Sequence, residues 1–214
     1  MNTNSKTGKG IPRLLGAMFL AVIVTSLLMG ILLSLSGSTS EILTKISNNL
    51  LPMRLSILLA LFTSIGVIIM AGLLYTVLKK QSKPIALIAF GLWLAEALAL
   101  AISKLGTLAL IPLSQQFVEA GSPGSSFYQT LGNFLYYGID KTGMALHMIF
   151  YCVGGLLWYY LFFKSRYIPR VISLFGVAAA AAALVGNVIS FFGYSVPIYV
   201  SIPLLPFELA IGLW

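Results

Sequence analysis

The chain has 214 residues, 59% hydrophobic and only 8% charged, with a mean hydropathy of +0.99. A soluble domain carries roughly 25% charged residues to solvate its surface, so a water-soluble globule is excluded. The formal net charge of +8 does not point to nucleic acid, because the basic residues stand in short clusters between apolar runs. That pattern sets membrane orientation and attracts anionic headgroups.

About 20 apolar residues carry a helix across the hydrocarbon core, and runs of that order lie near 14–36, 56–78, 84–106, 142–163, 168–193 and 197–214. The reading is an all-α integral membrane protein, one domain over 1–214, built as a bundle of six transmembrane helices. Lys6, Lys9 and Arg13 precede the first run, whose length exceeds the roughly 7–15 residues of a secretory signal core, so it is read as a retained helix. Next, in 37–55, Ser38 and Glu41 have capping-box spacing, and Ile42, Leu43, Ile46 and Leu50 follow at helical period. They predict a first amphipathic segment outside the bilayer. Lys79, Lys80 and Lys83 close the second run. Lys104 stands near the outer end of the third. A long connection, 107–141, follows, in which Phe127, Leu131, Phe134 and Leu135 share a face beside Tyr128, Tyr136 and Tyr137. This is a second outer amphipathic segment, expected to lie in the interface.

Lys164, Arg166 and Arg170 then separate the fourth and fifth runs. Counting the three clusters, nine of the 13 basic residues fall on one side, and the positive-inside rule makes that side cytoplasmic, with both termini there. The fifth run offers Ala178 to Ala183, Gly186 and Ser190, small residues that let a neighbouring backbone approach and predict a central helix. The sixth contains Pro203 and Pro206, which free carbonyls one turn earlier. It stops at Trp214 with no basic anchor, so the natural chain is expected to continue.

Glu96 lies twelve residues into the third run and Glu208 eleven into the sixth, near the bilayer midplane. A charge there costs about 2.5–3.5 kcal/mol on insertion scales. Each carboxyl must take a proton, pair with a cation or face water. His147, the one histidine, is expected nearer the outer surface, with Asp140, Lys104 and Asn187 at comparable depth, forming a polar layer above the two glutamates. Glu96, Glu208, His147, Lys104, Asn187 and Asp140 are thus the candidates for binding or proton coupling. The estimated depths separate His147 from the carboxylates, so no metal site is assigned. No catalytic residue and no cofactor is assigned either. One cysteine, Cys152, inside an apolar run, excludes a disulfide framework and a CxxC pair. The Gly121 to Ser126 run is in a loop, and a single histidine does not supply the sets that intramembrane proteases use.

The stretch Leu161-Phe-Phe-Lys-Ser-Arg-Tyr-Ile-Pro-Arg170, together with Glu208-Leu-Ala-Ile-Gly-Leu-Trp214, resembles a bacterial membrane family catalogued as domain of unknown function 4386. The resemblance runs across most of the chain and implies a six-helix protein of the cytoplasmic membrane. It maps Glu208 and Glu96 onto family glutamates. Two departures stand out: Trp93 occupies a place where the family often has arginine, which removes the obvious cation partner of Glu96, and Ser173 occupies that of a glycine. The family carries no biochemical activity with it.

Three functions fit these residues. The leading one is a small-molecule or ion carrier, proton-coupled through the midplane glutamates, with its ligand or a lipid entering an outward-facing pocket. The others are a non-catalytic sensor or accessory subunit that binds lipid, a membrane partner or a second copy of itself, and a membrane-embedded enzyme using the carboxylates and His147. The surrounding partner in every case is the lipid bilayer.

Overall fold

The computed structural model describes residues 4–32, 34–124 and 127–214, with side chains described from Gly10 onward apart from Ile198. Lys6 and Lys9 of the first basic cluster, and Ser125 and Ser126 of the Gly/Ser-rich run, therefore lie outside the side chains described. Among the described residues the protein is all-helical, with no strand. In chain order the helices are α1 (Asn4–Leu32), α2 (Thr39–Asn48), α3 (Leu50–Leu78), α4 (Lys83–Glu119), α5 (Phe127–Asn133), a π-helical stretch (Phe134–Lys141), α6 (Thr142–Ser165), α7 (Arg170–Phe191) and α8 (Leu204–Leu213).

Among the described residues five stretches are long and apolar enough to cross a membrane: Gly10–Leu32, Leu50–Leu78, Lys83–Glu119, Phe127–Ser165 and Arg170–Phe191. Their neighbours follow a ring, α1 against α3, α3 against α4, α4 against α6, α6 against α7, with α8 closing it between α7 and α1. Such helices form because nothing in the hydrocarbon can bond a free amide, so every backbone group must be satisfied within its own helix. Lys164 Nζ donates to the Gln81 carbonyl at 2.9 Å, joining the α3–α4 and α6–α7 corners at what is here called the basic end.

Three expectations need correction. The sixth run is not a full span: α8 has ten residues, about 15 Å at 1.5 Å per residue, half of a roughly 30 Å core. Pro197 and Pro203 remove two amide donors from the segment before α8, which is not α-helical and holds only a short 3-10 turn, Ile198–Val200, while Pro206 lies in the first turn of α8, where its missing amide is tolerated. Val196 and Val200 lie against Gly186 of α7, whereas Arg13, Tyr167 and Trp214 line one groove. The broken segment thus descends alongside α7 to the basic end.

The connection 107–141 is not an interfacial loop. α4 runs on to Glu119, and α5, the π stretch and α6 form one helical column, Phe127–Ser165. Lys104 and Asp140 interrupt the apolar pattern, but they neutralise each other inside the fold, so neither helix has to end at them. These extensions meet α2 in a second core of Ile42, Leu43, Ile46, Leu110, Phe117 and Tyr136. The α2 capping box forms as its spacing predicts, with Ser38 N donating to Glu41 Oε2 at 2.7 Å.

α7 is not central. Among the described residues it packs only on α6, α8 and the 3-10 turn. Its small residues serve those neighbours: Ala180 and Ala183 are buried, and Phe207 of α8 lies on Gly176.

Candidate functional site

Close approach of α4 and α6 builds the site. At Gly143 a Cβ would stand 2.6 Å from Ser103 Cβ, and Gly154 is covered by the Trp93 ring. Hydrogen at both positions lets the helices come near enough for their polar side chains to meet. Trp93 and Glu96 are three residues apart on α4, and His147 and Tyr151 four apart on α6, so each pair shares a helix face. Those two faces oppose each other. His147 Nδ1 is 3.0 Å from Glu96 Oε1, and Trp93 Nε1 donates to the Tyr151 carbonyl at 3.1 Å. The rings of Trp93 and Tyr151 stack with centroids 5.9 Å apart. From α8, Glu208 Oε1 accepts the hydroxyl proton of Tyr151.

All these side chains line one cavity of about 350 Å³ in the middle of the bundle, between α1, α3, α4, α6 and α8. The rest of its wall is largely apolar: Phe19, Val67, Met70 and Leu204 are buried there. Two lining hydroxyls are already occupied by their own helices, Ser26 donating to Ile23 at 2.9 Å and Thr63 to Leu59 at 2.9 Å. The other polar side chains of the wall include the two carboxyls, His147, Tyr151 and the Ser201 hydroxyl. Glu96 is only 1% exposed, and its Oε2 has no partner. Glu208 is half-buried.

The six sequence candidates separate into three places. Glu96, Glu208 and His147 share the cavity. Lys104 and Asp140 do not line it: Lys104 Nζ bonds Asp140 Oδ1 at 2.6 Å, the Thr107 hydroxyl donates to the same oxygen at 2.6 Å, and the pair is buried at the α4/π-stretch contact. Asn187 bonds the Ala183 carbonyl of its own helix at 2.7 Å. The expected outer polar layer is thus not one layer.

His147 also lies deeper than expected, near the middle of the column Phe127–Ser165 rather than close to its end. The reason is the same: the charged break at Asp140 and Lys141 is not a helix start. Glu96 meets His147 across the α4/α6 contact. Tyr151, Trp93 and Thr63 were not among the candidates, although the four-residue step from His147 to Tyr151 and the three-residue step from Trp93 to Glu96 mark both aromatics as sharing a polar face. Among the described residues no three His, Cys, Asp or Glu side chains cluster as a metal site would require.

A family model described as domain of unknown function (DUF4386) matches residues 14–214. No curated protein and no solved structure matches the chain. The match takes in every side chain of the cavity, from Phe19 to Glu208, and this multi-pass membrane protein belongs to the DUF4386 family.

Proposed function

We propose that the protein is a small-molecule or ion carrier of a bacterial cytoplasmic membrane, coupled to protons through Glu96 and Glu208. The observation that carries this reading is a single cavity at mid-bundle that brings two carboxyls from different helices together with His147 and Tyr151. Buried ionisable groups inside a membrane bundle mark ion and proton routes more often than structural struts. The broken α8 adds to it, since non-helical backbone at membrane depth is tolerated only where it is buried in protein or lines a cavity, as in discontinuous transporter helices.

In this reading the basic end faces the cytoplasm, both termini lie there, and the 194–214 segment makes a sixth, discontinuous crossing. The cavity then lies on the outward side of the α1–α8 contact and takes its ligand from outside. The α2 module forms the outer rim. Purified protein in proteoliposomes, loaded with a pH-sensitive dye and offered a panel of small solutes, should show solute-dependent proton movement. Glu96→Gln and Glu208→Gln should each abolish that movement while the protein still purifies as a folded species. Wild-type flux in both variants would reject the reading.

A further inference from the structure

We propose that the cavity selects a monovalent organic cation with an apolar body, an aromatic or aliphatic ammonium, and exchanges it for carboxyl protons. This deepens the carrier reading and takes the site from it, but binding selectivity stands or falls on its own measurement.

The sign of the charge is the first argument. The chain carries 13 Lys and Arg against 5 Asp and Glu, yet among the described residues the cavity wall holds two glutamates and no lysine or arginine. Lys104, a buried lysine on the same helix as Glu96, is held by Asp140 at 2.6 Å and lines no part of the cavity. The second argument is the unfilled valence: His147 and Tyr151 each reach one oxygen, at Oε1 of Glu96 and Oε1 of Glu208, and the buried Glu96 Oε2 keeps no partner.

The third is what the wall lacks for an anion. A helix start normally offers free amides to a negative ligand, and α8 begins at the cavity with Leu204 and Leu205. Both amides are already bonded, Leu204 N to the Ser201 carbonyl at 3.2 Å and Leu205 N to that of Ile202 at 3.1 Å, and Pro206 has none. The partly exposed Tyr151 ring, backed by the buried Trp93 and Phe19, instead makes the wall aromatic, a lining of the kind that attracts cations. Val67, Met70 and Leu204 suit an apolar body. A volume of about 350 Å³ lies at the small end of ligand sites, which run from about 300 to 1,000 Å³.

The exchange balances without any covalent step. The cation and a carboxyl proton compete for the same oxygens. As the cation enters, the O–H bond breaks, its electron pair stays on oxygen, and the proton leaves to water. Titratable groups facing the two carboxyls are His147 and Tyr151 on α6, with Tyr159 behind Tyr151 and Cys152 beside it; among the described residues α1 and α3 contribute no titratable group to the wall.

The test is equilibrium binding of radiolabelled phenyltrimethylammonium to the full chain in lipid nanodiscs. Its neutral isostere tert-butylbenzene and the anion benzenesulfonate serve as competitors. Saturable binding that neither competitor displaces, that tightens as pH rises, and that weakens about tenfold or more in Glu96→Gln and Glu208→Gln supports the inference. So does acidification of weakly buffered wild-type protein on adding the cation, a readout that needs no variant to fold. Absence of saturable binding, equal displacement by benzenesulfonate, wild-type affinity in both variants, or no proton release would each overturn it. Selective binding without flux in proteoliposomes would remove the carrier and leave this inference standing; proton-coupled flux with no preference for cations would do the reverse.

Discussion

Two buried acid–base pairs sit along α4, and the fold treats them differently. At Lys104 and Asp140 both charges are present, 2.6 Å apart and almost wholly enclosed, and Thr107 adds a third bond to the carboxylate. At Glu96 and His147, about two turns along, the carboxyl is as deeply buried but half satisfied, and it lies in the wall of a cavity. The first pair ties α4 to the helical column and lets both continue past a charged position. The second leaves chemistry open. Completeness of pairing, more than burial, separates a strut from a site.

Breaking each pair should expose that contrast, and the largest effect belongs to the strut. Asp140→Asn leaves Lys104 as an uncompensated charge in a closed contact and should cost about 3–5 kcal/mol of stability. Glu96→Gln, which exchanges a carboxyl for an amide of the same shape at a place where its partner is one imidazole, should change stability by only about 1 kcal/mol in either direction. Unfolding in detergent by chemical denaturant, followed by tryptophan fluorescence, compares the two directly. Replacing both strut residues, Lys104→Met with Asp140→Leu, should recover most of the loss, since a buried pair exchanged for apolar side chains is often neutral or better. An Asp140→Asn protein as stable as wild type would erase the distinction.

How far this contrast could be read beforehand depends on the distance over which each cause acts. The apolar runs of α1, α3 and α7 are local, and they appear in the structure close to where hydropathy puts them. The half of α4 away from the basic end was hidden because Lys104 and Pro112 interrupt its run, and the α5–α6 column because Asp140 and Lys141 do. Those charges cancel across 36 residues of sequence, which no local window sees. The same holds for the site. Glu96, Glu208 and His147 were singled out by polarity at depth, but their meeting rests on Gly143 allowing α4 and α6 to close, and on the prolines that break the last segment. Mistaking Asp140 for a helix boundary also misplaced His147 by several turns.

A smaller effect tests the closed side of the cavity. At Gly16 a Cβ would stand 2.7 Å from the Gly212 carbonyl oxygen, backbone that cannot move aside as a flexible side chain would. Gly16→Ala should therefore push α8 away from α1 and cost about 1–3 kcal/mol, the usual range for overpacking. Faster hydrogen exchange of the Leu204–Leu213 amides would report the opening directly. The same stability and the same exchange as wild type would mean that the basic end is looser than the glycine contact implies.

The smallest effect lies furthest from the cavity, in the capping box of α2. Its two bonds are unequal: Glu41 Oε2 accepts from Ser38 N at 2.7 Å, whereas Ser38 Oγ accepts from Glu41 N at 3.4 Å. The carboxylate half is the stronger, being short and charge-assisted, and Gly37 at φ +106° sets the chain direction that lets it form. Ser38→Ala should therefore cost less than the roughly 1 kcal/mol typical of a lost cap, and Glu41→Ala more. Hydrogen exchange of the Thr39–Asn48 amides would rank the two. Because α2 packs on the outer core and not on the cavity wall, neither change should alter phenyltrimethylammonium binding; a shift there would mean that the outer module and the cavity are coupled.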